Sequence, residues 1–388
     1  MRIVDIRESS VAISRYADPS IPSGGLTTSM VAAITDVTRN GQPIVGYGFA
    51  SIGRFAQGGL IRERFAPRLL TARDSDVMDE AGALDPFRAW KVMMTGEKPG
   101  GHGERCVAVG ALDMALWDAA AKIAELPLFR FLADRIAVPE VRSATVSVYA
   151  GGGYYYPNDD VGRLSEEIRR LSDLGYRRVK IKIGSAPLAQ DLKRIDVAAR
   201  LLDGPERLAV DAIYAYTPAT SLEAANALAP LGLWWFEDIC DPLDFETLAA
   251  VARCYPAPIA AGEALFSAAE ANLLDLHGGL RRDRDILLFD PVHCYGLPGY
   301  LEIVTALGKR GWPRTAFWPH GGHLFCLHVA AALGLGGAEV NPLCFQPFGG
   351  YDDDTVVSDG VATPPEAPGI GFETKTGLRD LFAALLEM

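Results

Sequence analysis

The sequence predicts an α/β protein in which a barrel of alternating strands and helices follows a smaller α+β module, and three observations carry the prediction. Apolar runs that end in a charged or polar residue finish at positions 182, 211, 237, 263, 290 and 320, at intervals of 29, 26, 26, 27 and 30 residues. Such an interval is about one strand plus one crossover helix, the repeat that a (β/α) barrel needs. Residues up to about 130 have a different texture, with alternating strands passing into a helical pattern, and the tail from about 341 is too rich in Pro and Gly to supply another barrel unit. An open doubly wound sheet is the alternative that periodicity by itself leaves standing.

The elements follow in order. The stretch TTSMVAAITDVTRNGQPIVGYGFAS reads as two strands joined at Asn40-Gly41, a dipeptide that takes the left-handed backbone of a tight hairpin turn. The alanine-rich run ERCVAVGALDMALWDAAAKIAE reads as a helix stopped before Pro127. Barrel strands are expected to end at RVKIK, LAVD, WWFE, IAAGE, LLFD and AFWPH, with TVSVYA before them and a short strand near GGAEV after them, extending the count toward eight. The tail ends in a helical pattern.

Composition sets the outer limits. A chain of 388 residues that is 49% hydrophobic can bury a large core. Its formal charge of −12 argues against a nucleic-acid or anionic-membrane partner, either of which wants a basic face. No apolar run reaches the length of a membrane span and MRIVDIRESS lacks the layout of a signal peptide, so a soluble cytoplasmic protein is expected. The cysteines Cys106, Cys240, Cys254, Cys294, Cys326 and Cys344 show no zinc-like spacing and read as reduced, mostly buried thiols.

In a barrel the carboxyl ends of all strands open onto one face, so residues far apart in sequence converge there. The six run ends carry Lys182, Asp211, Glu237, Glu263, Asp290 and His320. Singly, each has a structural alternative: Asp211 as a helix cap, Glu237 as a loop acid, Lys182 as a side chain reaching for solvent. Together, Asp211, Glu237 and Glu263 on adjacent strands would crowd three carboxylates at one mouth, where their repulsion implies a shared divalent cation. All-oxygen ligation selects a hard ion, Mg²⁺, for which Mn²⁺ could substitute.

Lys180 and Lys182 lie two apart on one strand and therefore point the same way. A neighbouring ammonium is expected to lower the pKa of Lys182 from about 10.4 toward neutrality, making it a base. Asp290 is placed to receive the His320 N–H and hold that ring ready as an acid.

The KIK pair, the Asp, Glu, Glu ladder, the Asp–His pair and the helix GALDMALWDAAAKIAELPLFR resemble the mandelate racemase group of the enolase superfamily along essentially the whole chain. Longer stretches, GEKPGGHGER, SVYAGGGYYYP, DPLDFETLAAVA, FWPHGGH and FQPFGGYDD with PGIGFE, are similar to the D-tartrate dehydratases and their close relatives. The resemblance implies a modified (β/α)₇β TIM-like barrel over residues 131–340, capped by an N-terminal α+β domain over 1–130 that the segment 341–388 completes. It implies a Mg²⁺-dependent dehydratase of an acid sugar or small hydroxydiacid, in which Lys182 removes the proton α to a carboxylate, the ion stabilises the enediolate, and His320 protonates the departing β-hydroxyl to leave a 2-keto acid. A Lys or His base working beside Mg²⁺ is the known arrangement of that superfamily. The resemblance also implies a small carboxylate as partner, a homo-oligomer, and Lys98 as an anion contact from the capping domain. By position, Glu339 at the end of the last strand and Tyr155 after the first barrel strand are further candidate substrate contacts.

Two positions depart from that pattern. Ile213 stands where Asp-x-Asn is common, and Ile52 stands where the close relatives write Asn before Gly-Arg. An apolar group cannot satisfy a hydroxyl it has desolvated, so the substrate is expected to differ from D-tartrate. A racemase or epimerase using the same two groups is the second reading. A metal-binding protein without turnover is the third.

Overall fold

A computed structural model describes residues 2–52, 57–136 and 144–388. Strands β1 (Ile3–Ala12), β2 (Thr27–Arg39) and β3 (Gln42–Phe49) form an antiparallel sheet in the order β1-β2-β3. The hairpin falls at Asn40-Gly41, with φ of 52° and 77° and Arg39 opposite Gln42. The helix Glu104–Ile123 lies under this sheet, buried continuously from Cys106 to Lys122. Close approach requires glycine on the strand side: a Cβ at Gly48 would stand 2.3 Å from the Ala111 carbonyl oxygen.

The second sheet holds β4 (Val146–Gly151), β5 (Val179–Lys182), β6 (Leu208–Asp211), β7 (Trp235–Glu237), β8 (Ile259–Ala261), β9 (Ile286–Leu287) and β10 (Ala338–Val340). These strands are parallel, in the order β10-β4-β5-β6-β7-β8-β9, with β11 (Val361–Ala362) added antiparallel to β4. Helices separate successive strands, as a right-handed parallel crossover demands. The chain belongs to the barrel class expected.

The AFWPH run departs from expectation, since it forms a single bridge, Leu287 to Phe317, and no strand. It still closes the ring. Trp318 N–H donates to Leu287 O at 2.9 Å on one side, and Gly336 N–H donates to Phe317 O at 3.1 Å on the other. Pro319 cannot donate to a ladder, which is why pairing stays partial here.

The tail helix Thr376–Glu387 packs on the first sheet, where Phe382 stacks on Tyr47 with centroids 4.4 Å apart. Buried Asp118 ties three pieces together: it accepts from Tyr47 N–H at 2.8 Å and Ile370 N–H at 2.7 Å, and pairs with Lys122 at 2.6 Å. The helix Leu128–Ile136 spans the 130/131 division expected between capping and barrel segments, and residues 137–143 lie outside the described residues. All six cysteines are free, with Cys254 exposed. Among the described residues no helix is long and apolar enough to cross a membrane.

Candidate active site

Register builds the first row of the site. Lys182 pairs with Asp211, and Asp211 with Glu237, so three adjacent strands present these side chains at one level. Lys182 Nζ contacts Asp211 Oδ2 directly. One residue pair deeper, Lys180 is 1% exposed, and its ammonium stands 2.5 Å from Glu237, 3.0 Å from Glu339 and 3.5 Å from Asp211.

These contacts correct the expectation for Lys182. Burial, the largest influence, favours its neutral amine and Lys180 adds to that, but Asp211, Tyr154 and Glu263 together outweigh them and hold the pKa above the ordinary lysine value. Lys180 is likewise raised, because three carboxylates overcome its desolvation. The two lysines are counter-ions of the acids before they are neighbours of each other.

The acids repel. Burial and the Asp211 charge push Glu237 up to about 8 despite Lys180. Asp238, which no strand-end pattern marks in the sequence, is pushed well above its usual range by burial and by Glu263, Glu237 and Asp211. Ligand atoms of Asp211, Glu237 and Asp238 lie within 4.8 Å of one another. Strand alternation would turn Asp238 away from Glu237, but its φ of 44° breaks the alternation. Glu263 lies beyond the end of β8, past Gly262 with φ of 123°, and its carboxylate faces His320 Nε2 at 3.3 Å. An all-oxygen donor set under this repulsion fits a hard divalent ion.

Across the cavity, His320 Nδ1 lies 2.9 Å from Asp290 Oδ2. Burial lowers the pKa of this ring, but Glu263 and Asp290 more than reverse that and raise it to about 9, so the imidazolium is favoured. Asp290 is fully buried and accepts four bonds: His320, Ser51 Oγ at 2.7 Å, and the N–H groups of Val292 at 2.7 Å and His293 at 3.3 Å. Ser51 also meets His323 Nε2 at 3.1 Å, whose ring burial holds neutral with a pKa of about 4. Glu339 is lowered, its burial offset by Lys180 and His320.

The strand ends thus open on one cavity of about 260 Å³ lined by Lys182, Glu263, His320 and Glu339 among others. Two expected contacts are not made. Lys98 is exposed and absent from the lining. The buried carboxylate beside it, Glu97, is gripped by Arg64 at 2.8 Å, Arg68 at 2.9 Å and Arg105 at 3.4 Å, which fixes this stretch with Lys98 turned outward. Tyr155 sends its hydroxyl to Asp191 and its ring under Arg194, 4.2 Å from the centroid, so the neighbouring Tyr154 lines the cavity instead.

Further lining residues carry no signal in the sequence: Arg15, Leu26, His293, Asn341 and Phe345. Loop positions have no periodicity from which to find them. Ile52 and Ile213, the two departures from the family pattern, both line the cavity, whereas Gly53 and Arg54 lie outside the described residues.

Comparison with known proteins agrees with this geometry. A family model described as "Enolase C-terminal domain-like" matches residues 163–377. Arabinonate dehydratase of Saccharolobus solfataricus is 26% identical over 285 residues, 72% of this chain and 73% of that protein. Among solved structures, L-talarate dehydratase from Polaromonas sp. JS666, complexed with Mg and L-glucarate, superposes with a TM-score of 0.73 at 25% identity, covering 95% of this chain and 94% of the other. A mandelate racemase/muconate lactonizing enzyme from Polaromonas sp. JS666 gives a TM-score of 0.75 at 26% identity, covering 95% and 93%.

Proposed function

The chain belongs to the enolase superfamily, and on that premise we propose that it is a Mg²⁺-dependent hydro-lyase that dehydrates an acid sugar or small hydroxydiacid to a 2-keto acid. The observation that carries the reading is the pairing of opposites across one cavity. A buried lysine, Lys182, and a half-buried histidine, His320, whose Nδ1 is 2.9 Å from Asp290, line the same cavity.

Asp211, Glu237 and Glu263 are the residues that would hold the ion, with Asp238 beside them. Bound there, Mg²⁺ would neutralise negative charge developing on the substrate carboxylate, which a lysine base alone could not offset. Lys182 Nζ takes the α-proton. Its burial and Lys180 both favour the neutral amine, and Asp211 chiefly opposes them. Asp211 would have its charge shared with the ion it helps to hold, and its pull on Lys182 would weaken accordingly. His320 gives its Nε2 proton to the β-hydroxyl, which leaves as water, and the resulting enol becomes the keto acid. Asp290 keeps the ring in the required tautomer. Lys180 holds Glu237 and Glu339 in place below the reacting carbon.

The favoured imidazolium at His320 supplies the proton that a departing β-hydroxyl needs in order to leave as water. The test is incubation with Mg²⁺ and a panel of aldonic, aldaric and short hydroxydicarboxylic acids in D₂O. Appearance of a 2-keto acid is expected. Deuterium incorporation with inversion and no keto acid would replace this reading with racemisation, and no exchange on any acid would end it.

A further inference from the structure

Arg178, Lys180 and Lys182 are spaced two apart along one run, from just before β5 to its last residue. The upper two cations are neutralised by acids of the neighbouring strands: Lys182 contacts Asp211, and Lys180 stands among Glu237, Glu339 and Asp211. Arg178 has no such partner. Among the described residues its guanidinium makes no ion pair and no hydrogen bond, and it lies over the Trp234 ring, 4.5 Å from the centroid. Stacking of this kind covers the face of the guanidinium and leaves its N–H edge unused.

Strand register brings a second arginine beside it. Val179 pairs with Leu208, so Arg178 and Arg207, the residues just before them, open adjacent strands at one level. Burial lowers the Arg178 pKa, and the Arg207 charge lowers it further. The acids nearby leave this pair uncompensated. Asp359 is taken by Arg177 at 2.7 Å. Glu206 folds back over Gly204, where an added Cβ would stand 2.3 Å from its carboxylate. Asp203 is 3.8 Å from Arg207 with its side chain 87% exposed, too solvated to count for much.

Arg178 and Arg207 line a cavity of about 600 Å³ at the strand starts, on the face opposite the one where Lys182 and Asp211 end their strands. The tail supplies its far wall. Gly360 N–H donates to Gly175 O at 2.9 Å, and Gly360 O accepts from Val148 N–H at 2.8 Å, which holds this turn against β4. Ser147 of β4 adds a hydroxyl to the lining. Two half-buried like charges with no acid between them repeat the crowding of the active-site carboxylates with the sign reversed, and an anion relieves it. A carboxylate has two oxygens, enough for one guanidinium fork. A phosphoryl group carries three or more oxygens and about two charges at neutral pH, enough for both.

We propose that this cavity is a second ligand site, in which Arg178 and Arg207 together bind the phosphoryl group of inorganic phosphate or of a small phosphate monoester. It shares no lining residue with the catalytic cavity, so it stands or falls apart from the dehydratase reading. Calorimetry of the full chain, without Mg²⁺ and at constant ionic strength, compares inorganic phosphate, glycerol 3-phosphate and butanedioate. Saturable binding of one phosphate per chain is expected, and the tighter of the two phosphate ligands identifies the source. Arg178→Gln and Arg207→Gln should each weaken it by about tenfold or more, with Arg178→Lys retaining part. Arg207→Gln carries the test if loss of the Trp234 contact unfolds Arg178→Gln. Lys182→Gln, in the other cavity, should leave phosphate binding unchanged. Absence of saturable binding, butanedioate bound as tightly as phosphate, or binding that survives Arg207→Gln and is lost in Lys182→Gln would overturn the proposal.

Discussion

Asp290 fixes the proton on His320: its Oδ2 lies 2.9 Å from His320 Nδ1 and also accepts from Ser51 Oγ at 2.7 Å. The ring therefore presents Nε2 to the cavity, and Glu263 and Asp290 favour its protonated form. Ser51 follows β3 of the first sheet, so that sheet supplies one of the four bonds Asp290 accepts.

Asp290→Asn removes the negative partner while keeping the shape. Loss of the imidazolium should lower keto-acid formation by about 10²–10⁴-fold, the usual range for a general acid. Exchange of the α-proton in D₂O, which needs only Lys182, should fall far less. Parallel loss of both, measured by NMR on one sample, would show that Asp290 acts on the fold and not on His320.

Lys180 tests the interior charge balance. Lys180→Met would strand Glu237 and Glu339, which lie 2.5 and 3.0 Å from its ammonium. Removing one partner from a buried pair costs about 3–5 kcal/mol, so urea unfolding without Mg²⁺ should shift by that order. A shift below about 1 kcal/mol would mean that the carboxylates simply take up protons.

His328 predicts a pH dependence unconnected with catalysis. Its Nδ1 accepts from Phe129 N–H at 3.2 Å and its Nε2–H donates to Ile370 O at 2.9 Å, a pattern open only to the neutral ring. Burial accordingly lowers its pKa from 6.5 to about 4. The folded-state pKa is depressed, so the unfolded chain binds the proton first. This contribution is full above about pH 6.5 and is lost as pH falls toward about 4, on the order of 3 kcal/mol in all. Urea midpoints across that window should fall steeply in the wild type and less so in His328→Gln, whose amide can copy both bonds.

The barrel and its chemistry are legible in the sequence where strands carry them. Lys182, Asp211 and Glu237 are register partners at true strand ends, and a period of one strand plus one helix finds them. The same period finds Glu263 and Asp290, which lie past their strands, and His320, which follows only a bridge, because the apolar run continues into the turn. The failures fall on loops. Lys98 points outward because Glu97 takes three arginines, and Tyr155 yields to Tyr154 because side chains alternate in an extended segment. Asp238 needs a left-handed φ, and Arg15 reaches the cavity between Ser14 and Tyr16, whose anchors to Phe345 and Tyr155 no local pattern encodes. The pKa of Lys182 escapes sequence reasoning for a related reason: its dominant neighbour, Asp211, is 29 residues away in sequence and adjacent in register.

Anomalous diffraction from crystals grown with Mn²⁺ reports on the shared-ion site without any need for turnover. One strong peak is expected, bonded to carboxylate oxygens of Asp211, Glu237 and Glu263, between Lys182 and His320. A peak elsewhere, or those three carboxylates still bound to lysine and histidine with no ion among them at saturating Mn²⁺, would be incompatible with a common cation and with the chemistry built on it.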